Sequence, residues 1–263
     1  MQDGMFRAGD RRSVRATGGV SQFAEEVVAR LVARDAGGGV VLREGLVTRL
    51  TDAVRSSDAA AFDALKPELK RARISAATLA DVYIPAVARR LGEAWQDDSA
   101  SFAEVTMGVA KLQAILREIG AGWAANNSAS DSTATLLFIL PSGEQHTLGA
   151  MIASGWLRRR GISVCLRIAP SLSDLESLLA VRHFDGAMVS IACEDKLAVC
   201  EKLVKKLRDI TQGRMRVAVG GAVMERGEDV LAGTGADIVT NDLAVALVAF
   251  GLTRQRITPQ AAS

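Results

Sequence analysis

The second half of the chain alternates short apolar runs with amphipathic stretches, and this alternation limits the fold more than any other feature. Apolar runs typical of buried strands occur at 135–140, 162–168, 185–191, 215–219 and 237–240. Helical patterns follow them at 147–160, 171–182, 194–212, 222–232 and 241–251. Strands that alternate with helices form a parallel sheet covered on both faces. We therefore predict a doubly wound α/β domain, Rossmann-like and flavodoxin-like, over 134–252.

The first half of the chain has only helical periodicity and ends at a polar, turn-prone segment, 124–133. Helices are predicted at 21–35, 39–56, 58–73, 75–95 and 102–123. Asp58 and Ser75 are the predicted N-terminal caps of two of them, and Pro85 should kink the helix that contains it. Helices with such short connections predict a small helical bundle over 21–124.

Charge and hydropathy exclude several classes of function. The 32 basic and 30 acidic residues nearly cancel, so the composition does not predict direct DNA binding. No apolar run approaches the roughly 18–20 residues that a membrane-spanning helix needs. Residues 1–20 lack the apolar stretch of a signal peptide and are predicted to be a disordered tail. Three cysteines without a CxxC pair indicate reduced thiols and a cytoplasmic protein.

The sequence lacks the common motifs of catalysis and cofactor binding. The turn PSGEQHTLG after the first strand has no GxGxxG, so it does not predict a bound dinucleotide. The chain also lacks a GxxxxGK[ST] phosphate loop and a GxSxG nucleophile elbow. Its two histidines and three cysteines do not have the spacing of a zinc site. We therefore expect no catalytic residues and no enzymatic activity of the chain alone.

One edge of the predicted sheet collects polar and small residues. His146, Ser190 and the Gly220-Gly221 pair follow the first, third and fourth predicted strands, at the carboxyl ends where ligands bind in such sheets. A single loop histidine is most often a surface residue, and His183 keeps that interpretation. His146 differs because Glu144 can hold its second ring nitrogen and Gly149 lets a bulky group approach the next helix.

The motif ExHxxG, formed by Glu144, His146 and Gly149, resembles the DxHxxG signature of the cobalamin-binding Rossmann-like domain. That family continues with an SxL motif and a glycine pair, which Ser190 and Gly220-Gly221 match in part. The resemblance implies that His146 replaces the benzimidazole of the cofactor as the lower cobalt ligand, with Glu144 behind it. The displaced nucleotide tail would then lie in a slot between the sheet and its flanking helices, past Gly149, Ser190 and the Gly220-Gly221 pair. Three neighbours of these motifs are also predicted to bind the cofactor: Gln145, Thr147 and Ala192.

The segment LGEAWQDDSASFAEVTMGVAKLQ resembles the helical cap of light- and redox-responsive cobalamin regulators, in which a tryptophan lies over the corrin and a Glu-His pair follows. Trp95 matches the tryptophan and Glu104 the glutamate, whereas Val105 stands where the family has histidine. Over residues 75–250 the chain is most similar to AerR/PpaA-type antirepressors of photosynthetic bacteria. Such proteins bind cobalamin and act through a separate DNA-binding repressor of photosynthesis genes.

Three departures from the family pattern leave alternatives open. Glu144 replaces the aspartate, Ser190 is not followed by the leucine of SxL, and Val105 leaves the upper cobalt ligand undefined. A light-responsive regulator is the leading hypothesis. A corrinoid protein that carries methyl groups between methyltransferases would have the same cap and motif. A haem sensor in which His146 binds iron is the third hypothesis.

Overall fold

The computed structural model describes residues 42–126, 134–226 and 230–252. The predicted tail at 1–20 and the predicted helix at 21–35 lie outside these ranges. Within them, a group of helices, here called the cap, precedes a five-stranded parallel sheet with helices on both faces. No helix of these residues is long and apolar enough to cross a membrane.

The cap is built around the apolar seams of its helices. Val47 on the first of them and Leu91 and Leu112 on two later ones are almost completely buried in one shared core. The first cap helix packs against the second, the fourth and the fifth, as a bundle requires. The cap helices are α1 (Glu44–Arg55), α2 (Ala61–Arg71), α3 (Ala76–Thr78), α4 (Ile84–Gln96) and α5 (Phe102–Asn126).

Pro85 distorts the cap in an identifiable way. Because proline has no backbone N–H, the hydrogen-bond ladder before it shifts, and the N–H of Ile84 donates to the carbonyl of Leu79, five residues back. The result is a π turn over Leu79–Tyr83 that joins α3 to α4. The predicted Ser75 cap is confirmed, since its hydroxyl accepts from the N–H of Thr78 at 3.0 Å.

The sheet has the strand order β2-β1-β3-β4-β5, all parallel, and the predicted fold class is confirmed. This order places the reversal of connection direction between β1 and β3. The strands are β1 (Ala134–Leu140), β2 (Ile162–Ile168), β3 (Gly186–Ser190), β4 (Val217–Gly220) and β5 (Ile238–Val239). The helices are α6 (Thr147–Arg158), α7 (Leu172–Val181), α8 (Leu197–Thr211), α9 (Val230–Thr234) and α10 (Leu243–Ala249), with single 3-10 turns at Glu194–Lys196 and Ala222–Arg226.

Helix α6 joins the cap to the sheet. Its residues Ala153 and Leu157 pack on β1, whereas Leu148 and Ile152 are buried in the core of the cap. At its end, the guanidinium of Arg159 donates to both carboxylate oxygens of Asp81 in the π turn, at 2.5 and 2.6 Å. The same guanidinium stacks on Trp123 of α5, 4.1 Å from the ring centre. These contacts hold the C-terminal end of α6 against the cap.

Candidate functional site

The loop between β1 and α6 presents His146 at the reversal point of the sheet. A turn over residues 141–144 closes through the N–H of Glu144, which donates to the carbonyl of Pro141 at 3.1 Å. Gly143 within it has φ +80°, a backbone conformation that other residues rarely adopt. This turn folds the carboxylate of Glu144 back beneath His146, which is the residue before α6.

Glu144 fixes His146 at both its backbone and its ring. Its Oε1 accepts from the backbone N–H of His146 at 2.8 Å and lies 2.5 Å from ring Nδ1. Its Oε2 accepts from the N–H of Ala192, beyond β3, at 2.8 Å. Burial raises the pKa of the Glu144 carboxyl, but the hydrogen bonds from His146 and Ala192 outweigh that effect and leave the pKa below its ordinary value. Glu144 is therefore an ionised, buried acceptor.

The contact with Glu144 determines which nitrogen of His146 can bind a ligand. A carboxylate acceptor at Nδ1 keeps the ring proton there, so the neutral ring carries its lone pair on Nε2. The side chain is 18% exposed. It lines a cavity of about 300 Å³ between the cap and the carboxyl edge of the sheet. His146 is thus oriented to donate an electron pair into that cavity.

Two aromatic side chains of the cap also line this cavity, which we call the cofactor cavity. Trp95 at the end of α4 and Phe102 at the start of α5 meet edge to face, with ring centres 5.9 Å apart. Phe102 is 62% exposed, which is unusual for so large an apolar side chain. The structure brings six of the residues predicted from sequence to this cavity: Trp95, Val105, Gln145, His146, Thr147 and Gly149. Sequence reasoning missed Thr106, Val109 and Gln113, which also line it.

Glu104 does not line the cofactor cavity. Its carboxylate accepts from the backbone N–H and the hydroxyl of Ser101, both at 2.8 Å, and pairs with Arg55 of α1 at 3.1 Å. Hydrogen bonds from Ser101 and Arg55 lower the pKa of Glu104 to about 2. The N–H of Glu104 in turn bonds the Ser101 hydroxyl, so the two residues form a capping box at the start of α5. The sequence SFAE, which begins at Ser101, has the S-x-x-E pattern of a capping box.

Neighbouring backbone and Asn241 fix the conformation of the Gly220-Gly221 pair and leave no room for side chains there. Gly221 has φ +120°, and a Cβ there would lie 2.0 Å from the carbonyl oxygen of Ile191. Its N–H donates to Oδ1 of Asn241 at 2.7 Å, while the amide of Asn241 donates back to its carbonyl at 3.3 Å. A Cβ on Gly220 would lie 2.7 Å from the carbonyl oxygen of Thr240. Asn241, buried just after β5, is a site residue that sequence reasoning missed.

A narrow slot runs between β3, β4 and α10 beside the glycine pair. Ser190 and Gly220 line it together with Phe138, Met188 and Leu243. Its volume of about 30 Å³ is close to the volume that one molecule occupies in liquid water. Ala192, predicted with these residues, instead contributes its N–H to Glu144. The slot is correctly placed for a group that passes down from the carboxyl edge, but its walls must separate to admit one larger than water.

These residues limit what the site can hold. Among the residues that the structure describes, no three His, Cys, Asp or Glu side chains lie close enough to bind a metal ion. His146 can therefore supply one ligand but not a complete coordination shell. A metal held by a flat macrocycle brings its own equatorial ligands and needs only axial ones. His146 and the aromatic residues Trp95 and Phe102 line one cavity, an arrangement that suits such a group.

The fold of the chain is that of a corrinoid protein. It superposes on the Methanosarcina barkeri monomethylamine corrinoid protein with a TM-score of 0.62 and 14% identity, over 80% of this chain and 100% of that one. A novel cobalamin-binding protein from Desulfitobacterium hafniense DCB-2 gives a TM-score of only 0.39 at 16% identity, over 83% of this chain and 100% of that one, and adds nothing to the assignment.

One relative of this chain is matched over its whole length. The chain is 44% identical over 191 residues, which are 73% of this chain and 100% of the relative, to an uncharacterized 20.5 kDa protein in the bchF-crtJ intergenic region of Rhodobacter capsulatus. The chain belongs to the family of that protein. No family model matches the sequence.

Proposed function

We propose that the chain is a cobalamin-binding, light- or redox-responsive regulator that acts through a DNA-binding repressor of photosynthesis genes, as AerR/PpaA-type antirepressors do. The observation that carries the proposal is the Glu144–His146 pair, with Nδ1 of the ring held by the carboxylate and Nε2 left for a metal. Cobalamin would supply a cobalt centre that brings most of its own ligands, and His146 would be its protein ligand. One protein imidazole is then sufficient to bind the metal.

The residues of the site divide between the two faces of the cofactor. His146 would replace the benzimidazole below the cobalt, and Glu144 would hold the ring in the required tautomer. Ser190 and Gly220 would contact the displaced nucleotide tail in the slot. Trp95 and Phe102 would cover the upper face and exclude water from it. This division fits a cavity in which Gln145, His146 and Thr147 come from the junction of β1 and α6, whereas the aromatic lining residues come from the cap.

The regulatory part of the proposal rests on the position of the cavity and on the relative. Because cap and sheet both line the cavity, a bound cofactor contacts both and favours the arrangement in which both contacts are made. The Rhodobacter capsulatus relative is encoded in the bchF-crtJ region, a region of photosynthesis genes. The near-zero net charge favours action through a DNA-binding partner over direct binding to an operator.

A corrinoid methyl carrier is the second candidate function. The observation that favours it is the superposition on a monomethylamine corrinoid protein, which covers the whole of that chain. A carrier would use the same His146 ligand and the same cavity. The two candidates differ in what the loaded protein does next, since a carrier exchanges methyl groups with partner enzymes and a regulator changes its affinity for a repressor.

The test is a pull-down and gel-shift assay with the photosynthesis-gene repressor of the same organism. Apo protein, dark cobalamin-loaded protein and illuminated loaded protein are compared, with His146→Ala as the variant that cannot bind cobalt and His183→Ala as its control. We expect the loaded and apo forms to differ in repressor affinity, and His146→Ala to behave as apo protein throughout. Equal affinity of all forms, together with methyl transfer to the bound cobalt by a partner enzyme, would establish the carrier.

A further inference from the structure

A groove, here called the side groove, is lined by residues of α5, α6 and the edge strand β2, and its volume is about 580 Å³. Gln113 and Thr147 line both this groove and the cofactor cavity, and the amide of Gln113 donates to the hydroxyl of Thr147 at 2.9 Å. The α5 residues that line the groove extend from Gln113 to Trp123, which is a rise of about 15 Å along the helix. The side groove is therefore an elongated space that begins next to the cofactor cavity.

The walls of the side groove include apolar side chains that water reaches. Met151 of α6 and Leu166 of β2 line the groove and are only half-buried. Ile168 at the end of β2 also lines it and is 54% exposed, and Ala121 of α5 is exposed as well. Contiguous apolar surface that remains in contact with water is typical of a site where another segment packs.

The chain has a segment of matching character outside the described residues, the predicted helix at 21–35. Phe23, Val27 and Leu31 follow one another at steps of four, and Val28 and Val32 widen the same apolar stripe. In a helix, Phe23 and Leu31 are about 12 Å apart along the axis, which is within the length of the side groove. Because an isolated helix of this length is marginally stable in water, the stripe needs a surface to pack against.

The described chain starts close to one end of the side groove. The backbone N–H of Arg43 donates to the hydroxyl of Tyr83 at 3.3 Å, and Tyr83 belongs to the π turn that precedes α4. Asp81 of the same turn accepts from Arg159, whose guanidinium stacks on Trp123. A short series of contacts thus connects the first described residues to the Trp123 end of the groove.

The connection between the predicted helix and the cap is long enough to reach that end. Residues 36–41 join the predicted helix to Leu42, and six residues can span about 20 Å. Three consecutive glycines at 37–39 let the chain turn sharply there. The predicted helix can therefore reach the side groove of its own chain.

We propose that the predicted helix at 21–35 docks in the side groove of its own chain, with its apolar stripe between α5 and β2. Leu31 lies toward Trp123, because the short connection to the cap begins on that side, and Phe23 lies toward Gln113. The docked helix covers Ile168 and removes the apolar walls of the groove from water. It adds a further helix to the junction of cap and sheet, next to the cofactor cavity.

The test is hydrogen–deuterium exchange of residues 21–35 in the full-length protein without cobalamin. Ala121→Trp fills the groove from an exposed position of α5, and Ala114→Trp is its control at an exposed position of α5 that does not line the groove. Val27→Asp places a charge on the apolar stripe, and Ala29→Asp places the same charge on the opposite side of the predicted helix. Circular dichroism confirms that every variant is folded.

In the wild-type protein we expect the amides of residues 21–35 to exchange at least about tenfold more slowly than in a synthetic peptide of the same sequence. Ala121→Trp and Val27→Asp should each abolish this protection, and both control variants should keep it. Peptide-like exchange in the wild-type protein, or protection that Ala121→Trp does not change, overturns the proposal.

Dilution identifies the chain that supplies the helix. Protection within one chain should not change on about hundredfold dilution, whereas protection that is lost overturns the proposal, because a second copy of the chain would then be the occupant. Since exchange is measured without cobalamin, failure of this proposal leaves the proposed function unaffected. Failure to bind cobalamin would likewise leave the docking of the predicted helix standing.

Discussion

Glu144 contacts His146 twice through one oxygen, since Oε1 accepts from the backbone N–H at 2.8 Å and lies 2.5 Å from ring Nδ1. Its other oxygen accepts from Ala192 beyond the neighbouring strand β3. The ring is thus oriented by a carboxylate that is itself anchored to the sheet. A histidine held this way cannot rotate freely, and its remaining nitrogen has a fixed direction.

Replacement of Glu144 should weaken cobalamin binding in graded steps. In Glu144→Gln one acceptor oxygen becomes an NH₂ group, which faces an N–H donor at either His146 or Ala192. We expect the Kd for hydroxocobalamin to rise about 10- to 100-fold in Glu144→Gln, as for other residues that orient metal ligands. Glu144→Asp should have a smaller effect, because it keeps both oxygens. The measurement is a titration followed by absorbance, with the exposed Glu201→Gln as control, and unchanged affinity of Glu144→Gln would contradict the assignment.

The fold could be predicted from sequence because its signals are local. The apolar runs form the strands of the sheet, and all five strands lie within two residues of the predicted positions. The carboxyl ends of β1, β3 and β4 meet at one edge, as parallel strands require, which brings His146 near Ser190 and Gly220. The Ser75 cap could be predicted because it depends only on residues of the helix that it begins.

Contacts between distant segments could not be predicted in this way. Asn241 follows β5, and its role depends on Gly221, which lies twenty residues earlier in the chain. Glu104 was assigned to the cofactor because it matches the glutamate of the family's Glu-His pair, whereas its hydrogen bonds to Ser101 place it at the start of α5. The narrowness of the slot depends on how α10 packs, and no sequence pattern encodes that distance.

Trp95 should control selectivity at the upper face of the cofactor. Trp95 and His146 line the same cavity from different segments. If His146 holds the lower face and Trp95 covers the upper face, as proposed, removal of Trp95 should change the discrimination between upper ligands more than the overall affinity. We expect the ratio of Kd values for adenosylcobalamin and hydroxocobalamin to change about tenfold in Trp95→Ala, which corresponds to about 1.4 kcal/mol. Phe62→Ala, a partly buried aromatic of the cap outside the cavity, is the control. If Trp95→Ala keeps the wild-type ratio, Trp95 has only a packing role.

The closed slot predicts two-step binding of cobalamin. A nucleotide tail can enter the space of about 30 Å³ beside Ser190 only after α10 and the sheet move apart. Cobinamide, which lacks the tail, does not require that movement. Stopped-flow absorbance should therefore show a fast and a slow phase with hydroxocobalamin and only the fast phase with cobinamide. A single phase with equal rate for both corrinoids would show that the tail does not enter the slot.

Gly221 should be essential for stability even without cofactor. In Gly221→Ala the new methyl group collides with the carbonyl of Ile191 and the residue keeps a positive φ, so we expect a loss of at least about 3 kcal/mol in the free energy of unfolding. The control is Gly213→Ala, where φ is +70° but no atom lies within 4 Å. That change should cost about 1–2 kcal/mol. Urea denaturation of both apo variants measures the free energy of unfolding and separates the cost of the collision from the cost of a positive φ. Equal losses of stability in the two variants would mean that the turn at Gly221 relaxes to avoid the collision.

The most direct test of the central claim is the ultraviolet–visible spectrum of protein recovered by gel filtration after mixing with hydroxocobalamin. Wild type and His183→Ala, which replaces the exposed second histidine, should each retain one equivalent of cobalamin with a spectrum shifted from that of the unbound cofactor. His146→Ala should elute without cobalamin while its far-ultraviolet circular dichroism remains that of wild type. Full retention by His146→Ala with the wild-type spectrum would show that His146 is not the cobalt ligand.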